Sequence, residues 1–222
     1  MEYNLELVNL AGAGTKNLDL NLNIDESYAR GLIDTLGGVQ TPPIRAGKDY
    51  AALSINPRQT PDFSPECRRI DFENTSNLVA IHPWTSDPVK QWPQNNFYAL
   101  SKRLIEDLGL KVVIVGIPNE PNKDMFNGLG GNIINLAAKT NLRQLAGILK
   151  RCRLLISGDS GPMHLAAAVG TPVLAIFRND LPGKTAKRWG PWGKGHIVIE
   201  KSSLSDITVD EVLEKAKEML RK

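Results

Sequence analysis

Residues Leu154 to Phe177 read LLISGDSGPMHLAAAVGTPVLAIF. The apolar run Leu154 to Ser157 has the length and composition of a buried strand. Gly158 to Pro162 follow, with cap-type residues and a proline where a helix starts. His164 to Val169 is nearly all apolar, which predicts a helix buried on most sides. Gly170 stands where a C-terminal glycine ends a helix. Pro172 to Phe177 then returns as a second strand. Strand, tight turn, helix, strand is a βαβ unit. Its turn aims unpaired backbone N–H groups at the carboxyl edge of a parallel sheet, a setting that suits an anion and above all a phosphate.

The rest of the chain extends this pattern from Leu78 onward. Leu78 to His82, Lys111 to Val115, Ile133 to Leu136 and His196 to Ile199 read as strands. Gln94 to Leu108 carries Phe97, Leu100, Leu104, Ile105 and Leu108 at helical spacing. Asn141 is placed to cap a helix bearing Leu142, Leu145, Ile148 and Leu149. Thr208 or Ser205 caps a last amphipathic helix with Val209, Val212, Leu213, Ala216 and Leu220. Strands alternating with helices predict an α/β fold, a doubly wound parallel sheet covered on both faces. Arg178 to Gly195 is basic and glycine-rich and reads as a loop.

Before Asn77 the pattern is poor. Leu18, Leu20, Leu22 and Ile24 alternate as in a half-buried strand, and Ser27 to Leu36 suits a helix. Prolines and glycines punctuate the remainder. So long a stretch without clear elements predicts either a piece of a larger protein or an irregular extension wrapped round its own domain.

The chain has 222 residues, 41% of them hydrophobic, and a net charge of +3. The charge is too small to argue for nucleic acid as a partner. Cys67 and Cys152 have no metal spacing and make no disulfide framework, which fits a reducing compartment. The first residues, MEYNLELVNL, include acidic side chains and no basic stretch, so no signal peptide is expected. No apolar run approaches the ~20 residues of a membrane span. These features predict a cytoplasmic protein without a resident metal or cofactor.

Asp159, Ser160, Gly161, His164, Leu165, Ala166, Ala167, Ala168, Gly170 and Pro172 match a D-[ST]-G-x-x-H-L-A-A-A-x-G-x-P block. This block resembles that of glycosyltransferase family 9, the ADP-heptose:lipopolysaccharide heptosyltransferases. IHPWTSDPVKQWP, Ile81 to Pro93, is similar to the same family's segment of small hydroxyl residues, lysine and Trp-Pro. The resemblance covers Asn77 to Lys222. It implies a Rossmann-like, nucleotide-sugar (donor) binding domain over residues 77–222, one lobe of a two-lobed GT-B-type enzyme. Residues 1–76 are then the remnant of the acceptor lobe and a linker. The general base is expected in the acceptor lobe, so no catalytic residue is named in this chain.

On this view Thr85, Ser86, Lys90, Ser160, Gly161 and His164 surround the donor's diphosphate. A helix N-terminus contributes about 0.3–1 kcal/mol to such an anion, and Lys90 adds a compact charge. Taken alone, Lys90 also reads as a solvated loop lysine, and His164 as a packed core residue. Asp159 would repel a diphosphate, so it suits the sugar hydroxyls or acts as a helix cap. Glu120 follows a strand end, where a ribose-binding acid sits in such folds. Met163 lines the base pocket or fills core space.

The resemblance implies transfer of a heptose from ADP-heptose to lipopolysaccharide core, with the enzyme meeting the inner face of the inner membrane. Two alternatives stay open: a non-catalytic module that binds a nucleotide or nucleotide-sugar, and a GT-B relative using a uridine nucleotide. In RWGPWG, Trp189 and Trp192 resemble the family's Trp-Gly-Pro stretch near the donor site. Arg178, Lys184, Lys187, Arg188, Lys194 and Lys201 fit either a solvated surface or an anionic acceptor.

Overall fold

The computed structural model describes residues 76–118 and 122–221. Six strands, β1 (Leu78–His82), β2 (Lys111–Ile114), β3 (Ile133–Asn135), β4 (Leu154–Gly158), β5 (Val173–Arg178) and β6 (Ile197–Lys201), form one sheet in the order β3-β2-β1-β4-β5-β6. Every neighbouring pair is parallel. The expected α/β doubly wound sheet is therefore present. The chain winds outward from β1 to β3, crosses back, and winds the other way from β4 to β6. The order reverses between β1 and β4, and a crevice opens at the carboxyl ends of such a pair.

Apolar runs become strands here because both faces are covered, so no residue in them needs to face water. Along β5, Val173, Ala175 and Phe177 enter one core, while Leu174 and Ile176 enter the other. The first core is closed by α2 (Leu142–Leu149) and α3 (Gly161–Ala168). The second is closed by α1 (Gln94–Glu106) and α5 (Val209–Leu220), through Phe97, Leu100, Leu104, Val212, Leu213 and Ala216.

The caps follow the sequence. Asn141 and Gln144 make a reciprocal capping box at α2. At α5 it is Thr208, not Ser205, that accepts from the Glu211 N–H, at 3.2 Å. Gly170, at φ +83°, ends α3 in the left-handed region that glycine enters without strain.

Several boundaries differ from expectation. The first helix stops at Glu106, and the chain turns through Gly109 at φ +63°. The helix expected from His164 begins three residues earlier, so Gly161–Met163 are its first turn. The last strand runs Ile197–Lys201 rather than from His196. The 178–195 segment is not loop throughout, because Ala186–Trp189 forms a short helix, α4. The strand and helix expected before Asn77, Cys67 and the ribose candidate Glu120 lie outside the described residues.

Candidate functional site at the carboxyl ends of β1 and β4

The crevice is built on His82, the last residue of β1, which is 5% exposed. Its Nδ1 lies 3.0 Å from Ser160 Oγ and 3.3 Å from Ser157 Oγ. Ser157 Oγ also donates to the Gly158 carbonyl at 2.9 Å. A single histidine thus ties the end of β1 to the end of β4 and the start of α3. Burial pushes its pKa down to about 4, so the ring is neutral at neutral pH.

Gly116 follows β2 at φ +105°. A Cβ there would sit 2.2 Å from His82 Cδ2 and 2.4 Å from Nε2. That position requires glycine on two counts, backbone and space. Sequence reading missed His82 as a site residue. The only local signal is a histidine ending an apolar strand just before the hydroxyl-rich loop.

The loop after β1, residues 83–93, is stapled by Gln91. Its Nε2 donates to the Pro83 and Trp92 carbonyls, each at 2.7 Å, and its Oε1 accepts from Thr85 N–H at 3.1 Å. Trp92 Nε1 donates to the Ile207 carbonyl at 2.9 Å, anchoring the loop to the segment before α5. Thr85 is buried, and its hydroxyl accepts from Asp87 N–H at 3.3 Å. Ser86 is exposed.

From this loop Lys90 reaches across the crevice. Its Nζ stands 2.5 Å from Asp159 Oδ2, with side chains 22% and 10% exposed. The contact lacks hydrogen-bond alignment, and among the described residues Asp159 Oδ2 has no hydrogen-bond partner. Asp159 is therefore not the helix cap that one reading of the sequence allowed. The N-cap is Ser160, and its hydroxyl is turned to His82 rather than to its own helix.

His164 lies in the first turns of α3, with Asp159 and Lys90 acting on its charge. Burial lowers its pKa below the usual histidine value, while the Asp159 carboxylate opposes the shift. Its Nδ1 is buried and unpartnered among the described residues. A buried ring nitrogen without a partner is costly and uncommon in a packed core.

Met163 has no exposed surface and packs within the first core, so of its two readings the structure corrects the base-pocket one in favour of core filling. The crevice itself is tight. The space between the 83–93 loop and Gly158 amounts to about 140 Å³, open solvent included, with His82, Thr85, Lys90 and Gln91 in its lining.

Three of the six basic residues in the stretch from Arg178 to Lys201 are paired. Arg178 binds Asp180 at 2.6 Å, Lys184 binds Asp87 at 3.0 Å and Lys201 binds Glu211 at 2.5 Å. Trp189 Nε1 donates to the Gly183 carbonyl at 2.8 Å, and the Arg188 guanidinium lies 5.3 Å from its ring centre. Lys187, Arg188 and Lys194 are exposed, as is Trp192 at 60%. Among the described residues, no helix is long and apolar enough to cross a membrane.

A parallel sheet that reverses order beside a helix N-terminus, with a lysine reaching over it, defines an α/β domain of the kind that binds anionic ligands at the strand ends. The family model for glycosyltransferase family 9 (heptosyltransferase) matches residues 50–215, so the chain belongs to that family. Lipopolysaccharide heptosyltransferase 2 of Salmonella typhimurium is 29% identical over 204 residues, covering 80% of this chain and 57% of that protein. Lipooligosaccharide heptosyltransferase 2 of Haemophilus influenzae is 29% identical over 160 residues, covering 61% and 44%.

Among solved structures, the E. coli ADP-heptose lipopolysaccharide heptosyltransferase II superposes with a TM-score of 0.58 at 27% identity, covering 70% of this chain and 50% of that one. A family 9 glycosyltransferase of Veillonella parvula gives 0.58 at 25%, covering 70% and 51%. The chain spans about half the length of the curated relatives it matches.

Proposed function

We propose that this chain supplies the donor-binding lobe of a heptosyltransferase, holding ADP-heptose for inverting transfer to lipopolysaccharide core. Residues 77–222 are the donor domain, and residues 1–76 are the remnant of the acceptor lobe with its linker. The observation that carries this reading is the convergence of Lys90, the N-terminus of α3 and the unpartnered His164 Nδ1 at the reversal of strand order. The name of the E. coli relative supplies ADP-heptose as the donor class.

In such a reaction a base outside this domain takes the acceptor hydroxyl proton. The hydroxyl oxygen attacks the anomeric carbon from the face opposite the diphosphate. The anomeric C–O bond breaks, and its electron pair leaves on the phosphate oxygen. The task of this domain is to stabilise that growing charge. The free N–H groups at the start of α3, the Lys90 ammonium and a neutral His164 N–H would do so, with Thr85 and Ser86 flanking the phosphates. The Ser160 hydroxyl holds the helix start through His82 instead of donating to phosphate. The chain would work at the cytoplasmic face of the inner membrane, with the exposed Lys187, Arg188 and Lys194 toward an anionic acceptor.

Titration of the chain with ADP, UDP and GDP by calorimetry tests the donor class. Tighter binding of ADP supports the reading, and equal or absent binding of all three contradicts it. A transfer assay with ADP-heptose and lipopolysaccharide core, read by mass spectrometry, tests the division of labour. The expected result is no product without an added acceptor lobe, because the base lies there. Product from this chain alone would overturn it.

A further inference from the structure

Ser160 is the N-cap of α3, yet its hydroxyl accepts no bond from its own helix. Pro162 has no N–H, so the Met163 N–H is the donor such a hydroxyl would ordinarily meet. That N–H goes instead to the Ser160 carbonyl, at 3.2 Å. The hydroxyl is drawn the other way. Ser160 Oγ lies 3.0 Å from His82 Nδ1 and 2.9 Å from Ser157 Oγ, and Ser157 Oγ donates to the Gly158 carbonyl at 2.9 Å. Each of these three contacts needs a proton. The two hydroxyls carry one apiece, so the third comes from Nδ1 of the ring. With the ring proton on Nε2 instead, one of the contacts would set two lone pairs against each other. The ring has little room to turn. It lies against the backbone of Gly116 and edge-on to Trp84, with 6.5 Å between ring centres.

We infer that His82 is a positioning residue for the diphosphate: through a proton on Nδ1 it holds the Ser160 hydroxyl off the start of α3 and keeps that helix end open to an anion. The inference rests on the donor-lobe reading above. Released from His82, the Ser160 oxygen would turn to the helix end and cap it, taking the place of a phosphate oxygen. His164 Nδ1, buried and unpartnered among the described residues in the first turns of α3, is an independent sign that this end awaits a ligand.

The test is ADP calorimetry on the full chain for the wild type, His82→Leu, His82→Asn, and His82→Leu combined with Ser160→Ala, with thermal melting to check that each is folded. His82→Leu fills the space without a donor and should weaken ADP about fivefold, the worth of a helix cap. His82→Asn returns an N–H near the place of Nδ1 and should restore most of the affinity. Removing the Ser160 hydroxyl as well should also recover it, because nothing is left to close the helix end. A purely structural role for His82 would make the double variant worse. A long-range proton–nitrogen correlation spectrum of the wild-type ring reads the tautomer without any variant, and should show the proton on Nδ1. A bare Nδ1, or an affinity lost in His82→Leu and not recovered in the double variant, overturns the inference. So does an ADP affinity unchanged in His82→Leu while the wild type binds. A wild type that binds no ADP overturns the donor-lobe reading, and this inference with it.

Discussion

Lys90 meets Asp159 at 2.5 Å with side chains 22% and 10% exposed, while Lys184 meets Asp87 at 3.0 Å with side chains 48% and 32% exposed. Both pairs stand at the carboxyl edge of one sheet, and the 83–93 loop gives one residue to each. The first is roofed by that loop and seated on the start of α3. The second bridges two surface loops, where water and salt screen it. Asp87 still has its carboxyl held below the usual carboxylate range, chiefly by the hydrogen bond from Lys184. Identical chemistry therefore serves two ends. The exposed pair steadies a loop, and the buried one sits where a ligand's charge would have to displace it.

The contrast breaks most sharply at glycine. Gly116→Ala drives a Cβ into the His82 ring from a backbone at φ +105°. Overpacking and backbone strain together should lower stability by roughly 3 kcal/mol or more, read by urea unfolding. Gly183→Ala, at φ +73° in the exposed corner, meets nothing nearer than 3.9 Å. Only the backbone term remains, about 1 kcal/mol. Equal losses in the two variants would remove the distinction between the corners.

Acid should follow the same division. His82 has its pKa lowered from 6.5 to about 4 by burial. Below pH 6.5 the unfolded chain takes up a proton that the folded chain refuses until about pH 4, so stability falls as pH falls through that window. The loss from this residue reaches about 3 kcal/mol near pH 4, and His164 and His196, also lowered by burial, add to it in the same direction. His82→Asn should flatten most of the slope in unfolding curves taken from pH 7 to pH 4. An unchanged slope would mean that His82 is not the buried neutral group at the centre of the corner.

Smaller effects separate the two pairs themselves. Lys90→Ala should weaken ADP roughly tenfold at low salt, as loss of a partly buried charged contact does. Lys184→Ala should leave both ADP affinity and the melting midpoint unchanged within error. A larger effect at Lys184 would move the site outward, onto the basic loop.

The sheet was legible because parallel strands covered on both faces become short apolar runs, and Leu154 to Phe177 contains two of them around a helix. The caps at Asn141 and Thr208 were legible because capping is local. The corner's wiring was not. His82 meets Ser157 and Ser160 across 75 and 78 residues of sequence, and only the strand order β1-β4 brings them together. Asp159 reads as a cap or a sugar ligand in the sequence, and only the fold shows that Ser160, not Asp159, is the N-cap. Met163 looked available for a nucleotide because helical position alone does not tell which side of α3 faces the core. The short α4 escaped notice because four residues carry too little periodicity among glycines and prolines.

The claim that the β1/β4 corner holds a nucleotide diphosphate is tested most directly by titrating the isotope-labelled chain with ADP and following its amide resonances. Binding at the corner should shift Thr85 to Lys90 and Gly158 to His164 first and furthest, with Lys187 to Lys194 little affected. Shifts confined to the 178–195 segment, or spread evenly over the sheet, would contradict it.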